Sequence, residues 1–367
     1  MKRTILFVAG LFLFAQGMLM AQGKFSGYMF GDYYYNVAKD PNYLTLANAG
    51  ANSMSANPGG TSYQAFQVRR VYFGYQDDIS EKFTSLFRLE MDPTATNTAT
   101  GKLGVMVKDA SLTWKEIFGG SNLVFGVTAT PTFDASEGAW GYRSLEKTIM
   151  DLRGIVPSRD YGVALKGKLT GDGTLNYWVM LANGSGNSPE TDKYKRYYGQ
   201  VSFKPSGSFY AMVNFDFQDR AQILDPYNPT AGTKVSDGTM TMSGFVTYNQ
   251  AGAFKVGLEA FTQSTSNGYN NGTALSSKSA LGLSIWAAAD LQPDLAVVLR
   301  YDNFDPNTDS KSKGDSRNLI IAGLDWKADK NVHVEPNLYY ESYEAPTVGA
   351  APKAAVVARV TMYWVFL

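Results

Sequence analysis

Residues 208–218 read SFYAMVNFDFQ, and their alternation decides the fold. Phe209, Ala211, Val213, Phe215 and Phe217 fall on one parity, and Tyr210, Met212, Asn214, Asp216 and Gln218 on the other. Successive side chains of a strand point to opposite faces, so this stretch presents one apolar face and one largely polar face. The same period of two returns in 254–263, where Phe254, Val256, Leu258 and Ala260 alternate with Lys255, Gly257, Glu259 and Phe261. It returns again in 295–302 and 332–341, and it persists from about residue 24 to the last residue.

Alternation alone also describes a soluble sandwich, so the connections must discriminate. Sixteen strands are expected near 24–36, 64–76, 82–92, 105–115, 121–130, 159–169, 174–183, 195–204, 208–218, 238–249, 253–264, 278–289, 294–303, 315–327, 331–342 and 353–366. Tight turns fall at 77–78, 118–120, 171–173, 205–207, 250–252, 291–293 and 328–330. Long polar loops fall between them, near 37–63, 93–104, 131–158, 184–194, 219–237, 265–277, 304–314 and 343–352. Short and long connections alternate throughout. That asymmetry is expected of an all-β transmembrane antiparallel barrel, with short periplasmic turns and long external loops. Closure follows from the solvent: an open sheet edge in hydrocarbon leaves backbone donors and acceptors unsatisfied, at several kcal/mol each.

Both ends agree. Lys2 and Arg3 precede an apolar run from Ile5 to Phe14, and mixed small residues lead to Ala21. This pattern predicts a signal peptide over 1–21, cleaved after Ala21, and a barrel over 22–367. At the other end Val356, Ala358, Val360, Met362, Trp364 and Phe366 form one apolar face. That face resembles the signal read by the barrel-assembly machinery, although Leu367 follows the terminal aromatic. Tyr33 to Tyr35, Trp114, Tyr197, Tyr198, Trp326 and Tyr363 are expected to form interfacial girdles, where an apolar ring and a polar tip both find their medium. Such a barrel is surrounded by outer-membrane lipid and lipopolysaccharide.

Composition removes other classes. The chain has no cysteine, which excludes disulfides, a thiolate metal site and a lipid-modified cysteine. Its 33 basic and 33 acidic residues balance, and loss of Lys2 and Arg3 would leave an excess of two acids, so no nucleic-acid partner is indicated. No cofactor motif is present. His333 is the sole histidine; Glu335 and Ser342 lie near it in sequence, but no nucleophile motif accompanies them, and no enzyme activity is expected. Asp302, Asp305, Asn307 and Asp309 group oxygen atoms as a calcium loop does, yet Ser310 and Ser316 stand where such a loop needs glycine and glutamate. Of the adjacent Arg69 and Arg70, strand geometry allows only one to face the lumen.

Several runs resemble the phosphate-selective porin family, outer-membrane porins O and P. They are Phe66-Gln-Val-Arg-Arg-Val-Tyr-Phe-Gly-Tyr, Phe83-Thr-Ser-Leu-Phe-Arg-Leu-Glu and Lys108-Asp-Ala with Trp114 beyond it. Pro157-Ser-Arg-Asp-Tyr-Gly-Val-Ala-Leu-Lys-Gly-Lys with Asn183-Gly184, and Arg300-Tyr-Asp-Asn-Phe-Asp-Pro-Asn, complete the set. The resemblance implies a sixteen-stranded homotrimeric channel for small hydrophilic solutes, with an inward-folded loop. That loop would be 131–158, carrying Asp134, Glu137, Arg143, Glu146, Lys147, Asp151 and Arg153. The chain departs from the family in charge. Basic residues are followed by acids, Arg88 by Glu90, Lys108 by Asp109, Lys255 by Glu259 and Arg300 by Asp302, where a basic ladder is expected. Pore-lining or constriction roles are expected for Arg88, Glu90, Arg143, Lys147, Arg153, Lys255, Glu259, Arg300 and Asp302. A mixed lining predicts weak selectivity. The alternative is a plugged, non-transport barrel serving as scaffold or adhesion protein.

Overall fold

The computed structural model describes residues 23–40, 60–92, 101–228, 232–309 and 314–367. The segment read as a signal peptide lies outside them, as do most of the 37–63 loop and residues 310–313 of the acidic loop. Sixteen long strands close into one antiparallel barrel. In chain order they begin with β1 (Lys24–Ala38), β2 (Gln64–Asp78), β3 (Phe83–Met91), β4 (Met106–Phe118), β5 (Ser121–Ala129), β6 (Arg159–Lys168), β7 (Leu175–Ala182), β8 (Arg196–Phe203) and β9 (Phe209–Gln218). A two-stranded flap, β10 (Ile223–Leu224) with β11 (Lys234–Val235), stands apart in a long loop. The barrel then resumes with β12 (Thr239–Gln250), β13 (Phe254–Asn270), β14 (Leu275–Gln292), β15 (Leu295–Asp305), β16 (Arg317–Asp329), β17 (Val332–Tyr343) and β18 (Ala355–Val365). Each strand read from the alternation is present.

Closure joins β1 to β18, pairing Tyr28 with Val365 and Tyr33 with Val360. The last aromatic sits at this seam: Phe366 lies over Gly27, where even a methyl group would collide with its ring, and the Phe366 amide donates to the Gly27 carbonyl at 2.9 Å. The tight turns are locally determined. In 171–173, Gly173 takes a positive φ of 75°, and Asp172 accepts from the Thr174 amide and hydroxyl. Hydrogen bonds from Thr170 and Thr174 hold the Asp172 carboxyl down at about 2.

The outward parity is apolar. Val179, Leu181, Val213, Phe215, Ile285, Leu299 and Ile320 are all exposed, part of a belt around the barrel. A continuous apolar belt of this extent is stable in hydrocarbon and a liability in water. Three members of the expected girdles belong elsewhere: Tyr34, Tyr198 and Tyr363 have the inward parity, and the first two are buried. Tyr35, Trp114, Tyr197 and Trp326 are exposed on the outside, and Tyr33, of the same outward parity as Tyr35, is half-buried.

Two register shifts change what the lumen receives. Between β1 and β2, Phe30 pairs with Arg70 and Gly31 with Val68, leaving Arg69 as an extra residue. Between β3 and β4, Arg88 pairs with Asp109 and Leu89 with Val107, leaving Lys108 extra. A bulge of this kind turns two consecutive side chains to one face. Arg69 and Arg70 therefore both point inward, contrary to the strict alternation expected of them, and so do Lys108 and Asp109.

Candidate constriction and solute passage

The loop after β5 folds into the barrel. Two short helices shape it, α1 (Asp134–Trp140) and α2 (Ile149–Leu152). Asp134 and Glu137 stand in the first turn of α1, where the helix dipole favours acids. Gly141 ends it in the left-handed conformation, φ 68°, its amide donating to the Glu137 carbonyl at 3.0 Å. These helices escaped the sequence reading, although acids in a first turn followed by glycine just past Trp140 are their written signal.

One face of the loop is apolar and docks on the wall. Phe133, Trp140, Leu145, Ile149 and Met150 are fully buried. Each of the three buried apolar clusters among the described residues includes loop side chains: Phe133, Ile149 and Met150 with Trp178, Phe261 and Phe304; Leu152 with Leu319, Ile321 and Tyr339; Trp140 and Leu145 with Phe245, Trp286 and Val298. Burial of each such side chain contributes roughly 1.5–3 kcal/mol relative to exposure. The interior core of this protein is thus the seam between loop and wall.

Wall side chains also tie down the loop backbone. Arg69 donates to the Ser144 and Leu145 carbonyls at 2.8 Å each, and its guanidinium lies 3.5 Å from Glu146 and 3.7 Å from Asp32. Tyr339 of β17 donates to the same Leu145 carbonyl. Arg300 donates to the Lys147 carbonyl, Lys255 to the Trp140 carbonyl at 2.8 Å and Gln263 to the Ile155 carbonyl at 2.8 Å. Arg153 reaches Glu341 at 3.0 Å with both side chains fully buried. Burial alone would raise the Glu146 carboxyl, but Arg69 and Arg359 outweigh it and hold it down at about 2.

This geometry divides the residues singled out in the sequence. Arg153, Glu259, Arg300 and Asp302 are buried, and the contacts of Arg153 and Arg300 place them between loop and wall. Lys255 sits over the Tyr142 ring, 4.2 Å from its centroid. Arg143 and Lys147 lie on the other face of the loop, part-exposed, with Glu137 and Asp151 between them. Arg143 is 3.5 Å from each of those carboxylates, and Lys147 is 3.7 Å from Asp151. Burial raises the Glu137 carboxyl, and the neighbouring Asp151 adds to the rise. Asp151 moves the opposite way: burial opposes its charge, but Lys147, Arg143 and Lys108 overcome it. The pair titrates unequally, so on acidification Glu137 takes up a proton before Asp151 does.

Opposite the loop stands the bulged wall. Arg88 meets Asp109 at 2.5 Å, Lys108 meets Glu90 at 2.8 Å, Arg70 meets Glu90 at 2.9 Å and Asp92 at 3.5 Å, and Arg159 meets Asp109 at 2.7 Å. The partners expected from sequence are exchanged, because residues two apart on one strand stand ~6.6–7 Å from each other while cross-strand neighbours stand ~5 Å apart. Only Arg300 and Asp302 keep the sequence pairing, at 2.5 Å. The ladder is also lopsided. Arg88 is 24% and Lys108 13% exposed, but their partners Asp109 and Glu90 are 2% and 1% exposed, so these two cations face the water and the acids sit behind them. Lys108 acts on Asp151, and Arg159 on Glu137, so wall and loop lie within electrostatic reach of one another across the lumen.

The serine–histidine pairing does not form. His333 and Ser342 lie nine residues apart along β17, ~30 Å, at opposite ends of the strand. In the acidic loop Asp302 is committed to Arg300, and Asp305 accepts from the Asn307 amide.

No protein-family model matches the chain, and no curated protein matches it in sequence. Solved structures do match its fold. The anion-selective porin from Comamonas acidovorans superposes with a TM-score of 0.61 at 14% identity, covering 94% of this chain and 100% of that one. The fold is that of the outer-membrane porins. The channel DcaP of Acinetobacter baumannii gives 0.63 at 13% identity over 94% and 97% of the two chains. OmpT of Vibrio cholerae, an outer-membrane protein described in a trimer form, gives 0.56 at 12% identity over 94% and 99%.

Proposed function

We propose that this porin-fold barrel is a passive diffusion channel of a Gram-negative outer membrane, admitting small hydrophilic solutes with a modest preference for anions. The observation that carries the reading is the lopsided ladder: Arg70, Arg88, Lys108, Arg143 and Lys147 reach the water, while the wall carboxylates Glu90, Asp92 and Asp109 lie behind their partners. A ring of charge at a constriction sets selectivity by stabilising the ion that has shed part of its water. Interleaved acids keep the field moderate, so the preference is weaker than a bare basic ladder would give.

The motifs shared with the phosphate-selective porins support placing phosphate among the solutes. Export by a cleaved signal peptide, insertion by the barrel-assembly machinery, contact with lipopolysaccharide and assembly as a homotrimer complete the reading; the trimer form of the Vibrio protein supports the last. Reversal potentials of single channels in a potassium chloride gradient test the whole. A potential of anion-selective sign that phosphate reduces supports the proposal. A cation-selective sign overturns the anion preference, and a silent bilayer overturns the channel itself in favour of a plugged scaffold.

A further inference from the structure

Toward the short-turn end of the lumen lies a second constellation, distinct from the ion-paired ladder. Asp325 of β16 and His333 and Glu335 of β17 share the inward face of adjacent strands. One ligand atom from each lies within 4.8 Å of the others. They line a cavity of about 190 Å³ with Tyr28, Tyr142 and Arg143. The loop forms the other side of this cavity and contributes Ser144, whose hydroxyl donates to Glu335 Oε1 at 2.9 Å. The other oxygen, Glu335 Oε2, is buried with no hydrogen-bond partner, on a residue only 2% exposed. A carboxylate oxygen left so is costly unless a positive charge or a donor meets it.

We propose that Asp325, His333 and Glu335 bind a divalent transition-metal cation of the zinc type in the lumen wall. One imidazole nitrogen and two carboxylates are a donor set that suits zinc and its neighbours, while magnesium and calcium prefer oxygen alone. His333 Nδ1 now lies 2.7 Å from Asp325 Oδ1, a hydrogen bond whose proton the cation would replace. The cation would come to lie between Glu335 Oε2 and this pair, with the remaining coordination positions open to water from the cavity. Arg143 is the opposing charge on the cavity wall, and its pairing with Glu137 and Asp151 offsets it.

The sequence makes the test clean, since the chain has one histidine and no cysteine. Untagged protein refolded in detergent is titrated with zinc chloride by calorimetry, with magnesium chloride as the control. The expected result is one zinc per chain, weakened about tenfold or more in both His333→Ala and Glu335→Gln, and no magnesium heat. Far-UV circular dichroism and heat-dependent gel mobility verify that each variant is folded. The imidazole nitrogen resonances of His333 in labelled wild-type protein should shift on zinc addition and stay fixed with magnesium. Absence of zinc binding, or zinc binding indifferent to the loss of His333, overturns the proposal.

Discussion

The lumen wall has two halves built on different rules. Beneath the loop, inward positions carry Trp178, Phe245, Phe261, Trp286, Val298 and Ile321, and the few charges there, such as Arg300 with Asp302, are sealed from water. Opposite the loop, inward positions carry two ion-paired groups, Arg70 and Lys108 on Glu90, and Arg88 and Arg159 on Asp109. One half is the receiving surface of an internal core; the other lines water. The same barrel supports both, because inward positions of a barrel strand answer only to what occupies the lumen beside them.

Unlatching the loop should break that division most severely. Arg69→Ala strips Glu146 and Asp32 of their buried partner and is expected to destabilise the fold by ~3–5 kcal/mol. Trp140→Ala on its own should cost a similar ~3–5 kcal/mol. Either variant should raise single-channel conductance and lower the thermal transition, and unchanged conductance in both would show that the loop does not limit the passage. Next in size comes the ladder itself. Arg88→Gln with Lys108→Gln should move the reversal potential toward zero or past it, while the loop stays docked.

The loop carboxylates give a smaller, pH-dependent effect. The Glu137 pKa stands above the ordinary 4.5, so on acidification it takes up its proton before ordinary glutamates do. The eyelet then gains positive charge, and anion preference should rise as pH falls toward 4.5. Glu137→Gln should abolish that rise. Further acid acts on Glu146, whose pKa is depressed to about 2. Its contribution to docking is fully present above 4.5 and is lost as pH falls toward 2, so conductance steps up there. Smallest is Glu259→Gln. This acid is buried in the covered half, so the reversal potential should not move; a clear change would mean that the covered half lines the passage as well.

The barrel was legible because its signal is repeated sixteen times, and each strand needs only parity and two flanking turns. The charged site was legible in residue type and less so in arrangement. Arg69-Arg70 reads as a pair split across the wall, and Lys108 reads as the partner of Asp109 rather than of Glu90, since a bulge leaves no mark in local composition and is set by the register of the neighbouring strand. For Tyr34 and Tyr198 the alternation itself held the answer, and position near a strand end misled. Arg153 and Arg300 looked like eyelet charges because sequence shows that a loop carries ions but not which face it lays against the wall.

The bulges also separate two inheritances that a barrel otherwise couples. Along an uninterrupted strand, inserting or deleting one residue exchanges the lipid set with the lumen set over everything beyond it. At Arg69 and Lys108 the extra residue is absorbed locally: the outward set passes from Phe66 to Phe73 in one strand and from Val107 to Leu112 and Trp114 in the other, so the exterior stays apolar on both sides. At Lys108 such a position lets the lining acquire or shed a whole charge by a single codon, with no change to the surface the membrane sees. Of the two, Lys108 is the place to alter the lining, because Arg69 also latches the loop.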